Sequence, residues 1–329
     1  MDKLPEDNAV DRIRRWLLVG LFATLAGASV HTFLFDGSQL HKFITSKDVR
    51  NRVHDEEFGR MSADYLFGGG ELDTKRLQEI SKPPGQAAEE SFALLKKILR
   101  FEGRFLASLL AVLGLVLVLG PKAKDHPALV ALYLAAGMYL LLQAIAAKLN
   151  GGKGFAELMV GAHATRYALA FLLMGFIGQR FVGEQWKTRS NECLFLLAAL
   201  ACSATFAIHG WEAWNHKASF LDLVIGSANL IHLHLGEGFV QKLLSCIGIM
   251  DIAMACLVLL YPNRKLLLWM AIWGLVTALS RPLSIGLGAW YETAVRSGNF
   301  VLPYCMALLL AAGIGGPIWK IFPGSNKSQ

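Results

Sequence analysis

Long, uninterrupted runs of apolar residues constrain this chain more than any other feature of its sequence. A helix needs roughly 20 apolar residues to cross a hydrocarbon core of about 30 Å. Backbone polar groups cannot stay unpaired in lipid, and no run alternates as a barrel strand does, so each run is expected to be a helix. The pattern predicts an all-α, polytopic membrane helix bundle with about eight transmembrane helices. The runs cover residues 16–35, 105–120, 128–147, 164–178, 193–209, 243–261, 266–279 and 301–318.

The composition supports a membrane location and excludes an ordinary soluble domain. Of the 329 residues, 54% are hydrophobic and only 17% are charged, whereas about a quarter of an average soluble chain is charged. Arg12, Arg14 and Arg15 before the first run resemble the start of a secretory signal. Because the apolar run continues to Phe35, we expect a retained anchor. The five cysteines form no Cys-x-x-Cys pair, and we interpret them as packing residues.

Lysines and arginines near the ends of the runs predict the orientation of the bundle, because loops rich in them stay in the cytoplasm. We therefore place the N-terminus and the C-terminus in the cytoplasm and expect a multi-pass protein of the cell inner (cytoplasmic) membrane. The formal net charge of +7 fits an anionic inner leaflet, and no nucleic-acid motif accounts for it. The basic residues on the cytoplasmic side are Lys3, Arg12, Arg14, Arg15, Lys122, Lys124, Arg180, Lys187, Arg189, Arg264, Lys265, Lys320 and Lys327.

Internal repetition divides the chain into two four-helix halves, residues 1–180 and 181–329. Each half begins with an apolar helix that carries a histidine near its outer end, His31 or His209. An external segment follows, then two apolar helices joined by a Pro-containing basic turn, and then a closing helix. Four helices per half give both halves the same orientation, so we expect parallel repeats related by an axis along the membrane normal.

The external segments of the two halves differ in length and polarity. The first half has a long polar insertion at 36–104, which becomes a helix from Gln86 onward and enters the second span. The corresponding segment at 219–238 is shorter and more apolar. We expect it to form a short or re-entrant helix in the outer interface, ended by the helix-breaking Gly236 and Gly238.

Several short motifs lie along the first three helices of the second half. They are His209-Gly210, Ile247-Gly248, Asp251, Tyr261-Pro262-Asn263-Arg264, Trp273-Gly274, Ala278, Arg281 and Pro282. On these residues the second half resembles the DoxX-like membrane proteins, a broad group of four-helix units, and the first half is similar to it in layout and in His31. The resemblance implies a tandem DoxX-like protein that serves as a membrane partner of a redox system, such as the quinone-linked thiosulfate oxidoreductases.

Histidines and a carboxylate collect at the outer end of the fifth run. His209, Glu212 and His216 share one helix face if that helix continues outward, and His232 and His234 follow on the external segment. Neutral imidazoles bind zinc, copper or iron, a carboxylate completes the set, and a haem needs only one or two axial histidines. The cluster therefore predicts either a transition-metal or haem site or an interfacial hydrogen-bonding cluster.

A carboxylate lies in the middle of the sixth run. An ionised Asp251 is costly there unless it has a partner or a water-filled path. Candidate partners are Arg166 and Arg281. One interpretation makes Asp251 and Arg281 the catalytic groups of a proton relay or headgroup site. The other is an ion pair or hydrogen bond between helices.

Aromatic side chains flank these polar groups near the outer interface. Trp211, Trp214, Trp290 and Tyr291 are expected either to anchor the helices among lipid headgroups or to surround the ring of a bound quinone. In the second case His209 or Arg281 donates a hydrogen bond to a quinone carbonyl.

Three functions follow from these patterns. The first is an integral membrane subunit associated with a quinone-linked redox system, with its site at the outer leaflet of the second half. The alternatives are a transporter or lipid-handling membrane protein, and a non-catalytic scaffold subunit of a larger membrane complex. All three imply contact with the lipid bilayer and with other membrane or periplasmic subunits. The cofactor stays open among quinone, haem and a transition metal, and no motif of a self-contained enzyme is visible.

Overall fold

The structure is a computed structural model that describes residues 6–34, 38–45, 86–119, 126–150, 156–181 and 183–318. No strand is present within these ranges, which confirms the all-α class. Most of the polar insertion lies outside the described residues, as do Lys3, Lys122, Lys124, Lys320 and Lys327 of the predicted cytoplasmic set. The helices are α1 (Glu6–Leu34), α2 (Gln39–Thr45), α3 (Gln86–Leu119), α4 (Ala128–Asn150), α5 (Met159–Ala162), α6 (Ala164–Gly178), α7 (Glu184–Trp214), α8 (Ala218–Leu230), α9 (Glu237–Leu260), α10 (Arg264–Ile285), α11 (Trp290–Val295) and α12 (Gly298–Ala311).

Six helical segments are long and apolar enough to cross a membrane, so the chain is a multi-pass membrane protein. A seventh span is present if α11 and α12, which meet at a 48° bend, count as one. Seven of the eight predicted runs fall on helices, but α6 has only 15 residues, which rise about 22 Å. The eighth run, 301–318, is helical only as far as Ala311. The six segments are Ala9–Leu34, Leu99–Leu119, Ala128–Asn150, Trp186–Trp214, Glu237–Leu260 and Arg264–Ile285.

The helix ends follow from local sequence. Asn263 caps α10, because its side chain accepts a hydrogen bond of 2.9 Å from the backbone N–H of Leu266. Gly236 is the N-cap of α9, whereas Gly238 lies inside its first turn. The expectation that these two glycines end the short helix before them is wrong. That helix already ends at Leu230, Gly236 begins the next helix, and a single glycine such as Gly238 weakens a helix without ending it. The short helix predicted between the fifth and sixth runs is α8, and the helix predicted from Gln86 onward is α3.

One continuous hydrophobic core joins helices from both ends of the chain. Helix α1 packs against α3 and α6 and also against α11 and α12, while α7 packs against α9 and α12 and also against α5 and α6. Leu17, Leu169, Phe195 and Met306 are fully buried members of this core. Large apolar side chains such as Val118 remain exposed on the outside, as expected of a surface that faces lipid.

A belt of buried hydrogen bonds ties the two ends of the chain together. The Thr24 and Ser297 hydroxyls are 2.8 Å apart, and Ser297 donates to the backbone oxygen of Gly20 at 2.7 Å. Thr165 donates to the Asn299 side-chain oxygen at 2.7 Å, and Thr205 donates to the Gly161 carbonyl at 3.2 Å. These bonds fix the α5–α6 and α11–α12 elbows, where the polar residues of the candidate site lie.

Candidate functional site

A cavity of about 220 Å³ lies between α7, α8, α9, α10 and the start of α12. We call it the His209 cavity. Its walls are mostly apolar side chains, with a smaller set of polar groups among them. The apolar walls include Phe206, Phe220, Leu223, Leu244, Ile247 and Val276. The polar groups are His209, Asp251, Trp273, Arg281, Arg296 and Asn299.

Two glycines bring the polar groups of α7 and α9 together. A Cβ atom on Gly210 would lie 2.8 Å from the Gly248 oxygen, and one on Gly248 would lie 2.7 Å from the Gly210 oxygen. The helices therefore cross with their backbones in contact, as small residues allow in membrane bundles. His209 and Asp251 stand next to this crossing, which places both side chains on the cavity.

Asp251 is held by a tryptophan rather than by an arginine. Its Oδ1 accepts a hydrogen bond of 2.8 Å from the Trp273 indole N–H, and the residue is only 5% exposed. No ion pair between Asp251 and Arg166 or Arg281 is present in the described residues. Asp251 and Trp273 lie equally far along the chain from Pro262, so they face each other across an antiparallel helix pair.

The cavity contains two arginines in different states of pairing. Arg296 forms an ion pair with Glu292, one helical turn earlier. The Arg281 guanidinium makes no hydrogen bond within the described residues, and its Nε is buried without a partner. An unpaired buried guanidinium is costly. The His209 cavity therefore offers donors for an oxygen-bearing group that is not part of the chain.

The structure unites some of the predicted site residues and separates others. His209, Asp251 and Arg281 line one cavity. Trp211, Trp214 and Trp290 are about half exposed and do not line it, whereas Tyr291 is buried and contacts the His31 ring edge-on. The aromatic walls are instead Phe206, Phe220 and Trp273.

The predicted metal ligands do not come together. Glu212 forms a 2.7 Å ion pair with Lys217, and His216 Nε2 lies 2.8 Å from the Ser245 hydroxyl. His232 adopts a left-handed backbone with φ of 58° in the exposed loop that also holds His234. Across the described ranges, no three His, Cys, Asp or Glu side chains are arranged to hold a metal ion.

A second cavity of about 160 Å³, the His31 cavity, lies between α1, α2, α4, α6 and α11. It is lined by His31, His163, Arg166, Glu292 and Arg296, with hydroxyl and amide groups from the surrounding helices. Arg296 lines both cavities. The sequence analysis considered headgroup anchoring for the nearby Trp290 and Tyr291 and did not identify Arg296 as a site residue.

Comparison with known proteins gives no relative: no protein-family model, no curated protein and no solved structure matches the chain.

Proposed function

We propose that this membrane protein binds a quinone in the His209 cavity and serves as the membrane subunit of a quinone-linked redox system. The observation that carries the proposal is the division of one cavity's lining into apolar walls and a smaller set of polar groups, which includes an arginine whose Nε is buried without a partner. A quinone has the same division, because an apolar ring and tail carry two carbonyl oxygens. The resemblance of the second half to DoxX-like proteins is consistent with this role.

The polar side chains of the His209 cavity supply the groups that a quinone requires. Arg281 and His209 donate hydrogen bonds to one carbonyl oxygen of the quinone. Asp251 exchanges a proton with the other carbonyl oxygen, near Trp273. Reduction of a quinone to a quinol consumes two electrons and two protons. A partner redox subunit provides the electrons, and Asp251 passes the protons.

The topology proposed for this function is two parallel repeats of four spans, with both termini in the cytoplasm of an inner membrane. The packing supports the repeat, because the partners of α1 to α6 recur among α7 to α12. Helix α1 contacts α3, α11 and α12, and α7 contacts α9, α5 and α6 in the same order. Likewise α2 packs on α4 as α8 packs on α10.

The test is titration of the full-length protein, purified in maltoside detergent, with a short-chain quinone and measurement of tryptophan fluorescence quenching. We expect saturable binding that weakens at least about tenfold in Arg281→Gln, because a hydrogen bond to a charged donor is worth about 1.5–3 kcal/mol. Arg264→Gln removes an exposed arginine from the same helix and should leave binding unchanged. Equal affinity in the two variants would refute the site.

The charge of the His209 cavity favours a second candidate, the handling of an anionic lipid. Arg281 and Arg296 both line the cavity, and only Arg296 has a carboxylate partner. An anionic headgroup would compensate the remaining positive charge. Competition decides between the two: if phosphatidylglycerol displaces the quinone and binds more tightly, lipid handling replaces the redox role.

A further inference from the structure

The His31 cavity has the chemistry of an anion site that is separate from the quinone site. We propose that it binds a small oxyanion, a phosphate or carboxylate group, between His31, His163, Arg166 and Arg296. The inference does not rest on the quinone proposal, because it uses a different cavity and a different unpaired arginine.

Arg166 is the residue that most requires a ligand. It stands at the start of α6 and lines the His31 cavity. Its guanidinium makes no hydrogen bond or ion pair with any residue in the described part of the chain. Five N–H donors in a fixed planar fork match the oxygens of a phosphate or carboxylate, and an arginine without such a partner is costly at membrane depth.

The other charged residues of the cavity do not form an ion pair with Arg166. Glu292 is the one carboxylate among the described lining residues, and it is already paired with Arg296. Two guanidiniums and one carboxylate therefore line the cavity, so its lining carries a net positive charge. The imidazoles of His31 and His163 line the same space. An oxyanion with at least one negative charge balances the charges of Arg166, Arg296 and Glu292.

The volume and the walls of the cavity suit a polar group. Its volume of about 160 Å³ is roughly ten times the 10–15 Å³ that one water molecule requires. Tyr139 and Gln143, on its α4 wall, are fixed by hydrogen bonds of 2.8 and 3.0 Å to Glu102. A rigid wall preserves the cavity in the absence of a ligand and lowers the entropic cost of binding.

The two cavities have equivalent positions in the bundle. Helices α1, α2 and α4 line the His31 cavity, and α7, α8 and α10 line the His209 cavity. Each contains one arginine without a hydrogen-bond partner in the described structure, Arg166 in the first and Arg281 in the second. Arg296 lies between them and contributes to both.

The test uses the full-length protein in maltoside detergent, which carries no phosphate. Inorganic phosphate is titrated calorimetrically against sodium chloride of equal ionic strength, and dioctanoyl phosphatidic acid is titrated in a second arm. We expect phosphate-specific binding that weakens at least about tenfold in Arg166→Gln, and less in Arg166→Lys, which keeps the charge but loses the fork. Arg264→Gln is the matched control and should bind as the unaltered protein does.

The two arms identify the source of the anion. Binding of inorganic phosphate supports a free anion, and binding of phosphatidic acid alone supports a lipid headgroup. If neither binds more tightly than chloride, or if both Arg166 variants bind phosphate with unchanged affinity, the site does not exist. Should Arg166→Gln fail to fold, Arg166→Lys carries the test. Quinone affinity measured in parallel with Arg281→Gln tests the His209 cavity separately.

Discussion

Gly210 and Gly248 determine how closely α7 and α9 approach each other. Each faces the backbone of the other helix, so an added Cβ would meet a carbonyl oxygen that has no room to move. In lipid, where burial of apolar surface provides little drive for helix association, such close contacts carry much of the packing energy. The position of Asp251 opposite His209 depends on this crossing, because Asp251 lies one turn beyond Gly248.

Gly248→Ala should therefore destabilise the bundle, by about 1–3 kcal/mol as for other overpacked interiors. Gly238→Ala is the matched control, because it lies in the same helix and a Cβ there meets nothing within 4 Å. It should be neutral or stabilising by up to about 1 kcal/mol, since alanine favours helix more than glycine does. Thermal unfolding of both variants in detergent measures the difference, and equal melting temperatures would contradict the close crossing.

At the scale of elements, α8 closes one side of the His209 cavity and is held against α10. The Ser227 hydroxyl donates to the Ser280 carbonyl at 3.2 Å, and Gly226 faces Ser284 at the same interface. Phe220 and Val224 of α8 line the cavity. The position of this short helix therefore decides whether the cavity is closed on that side.

A disulfide should form between α8 and α10 in the double variant Gly226→Cys and Ser284→Cys. A Cβ on Gly226 would lie 3.3 Å from the Ser284 Cβ, close to the Cβ separation of about 3.5–4.5 Å in disulfides. The five native cysteines are first replaced by alanine, and oxidation is followed as loss of maleimide-reactive thiols. The control pairs Gly226→Cys with Leu283→Cys, which is about 100° around the helix and should stay reduced. If the thiols of the Gly226→Cys and Ser284→Cys pair remain reactive with maleimide, α8 does not pack against α10 in this way.

The elements were largely predictable from the sequence, but their inward faces were not. Apolar runs indicated where the helices lie, but two helices begin earlier than their runs, at Glu237 after the N-cap Gly236 and at Arg264 after the N-cap Asn263. A membrane helix is apolar all around, so periodicity does not tell the core side from the lipid side. For that reason Trp211 was assigned to the cavity, whereas Phe206, on the same helix, is the residue that lines it.

For the whole molecule, the short helices α6 and α12 raise the question of how many times the chain crosses the membrane. Both follow a bent elbow with a short helix, and the second residue of each, Thr165 or Asn299, belongs to the hydrogen-bonded belt. A helix of about 15 residues is too short to cross the whole hydrocarbon core. It is long enough to complete the crossing if the elbow before it already lies inside the membrane. On this basis we expect α6 and α12 each to complete a span, which gives eight.

Cysteine accessibility in intact cells distinguishes eight spans from fewer. With the N-terminus inside, eight spans place Gly183 in the cytoplasm and Asn215 outside; if α6 does not cross, the two sides are exchanged. Lys187 and Arg189, close to Gly183, favour the cytoplasmic position. In a chain without native cysteines, a membrane-impermeant maleimide should label Asn215→Cys in intact cells and Gly183→Cys only after lysis. Both positions are exposed in the structure. With the N-terminus inside, the opposite labelling pattern would mean that α6 stays on one side of the membrane and that the parallel repeat is wrong.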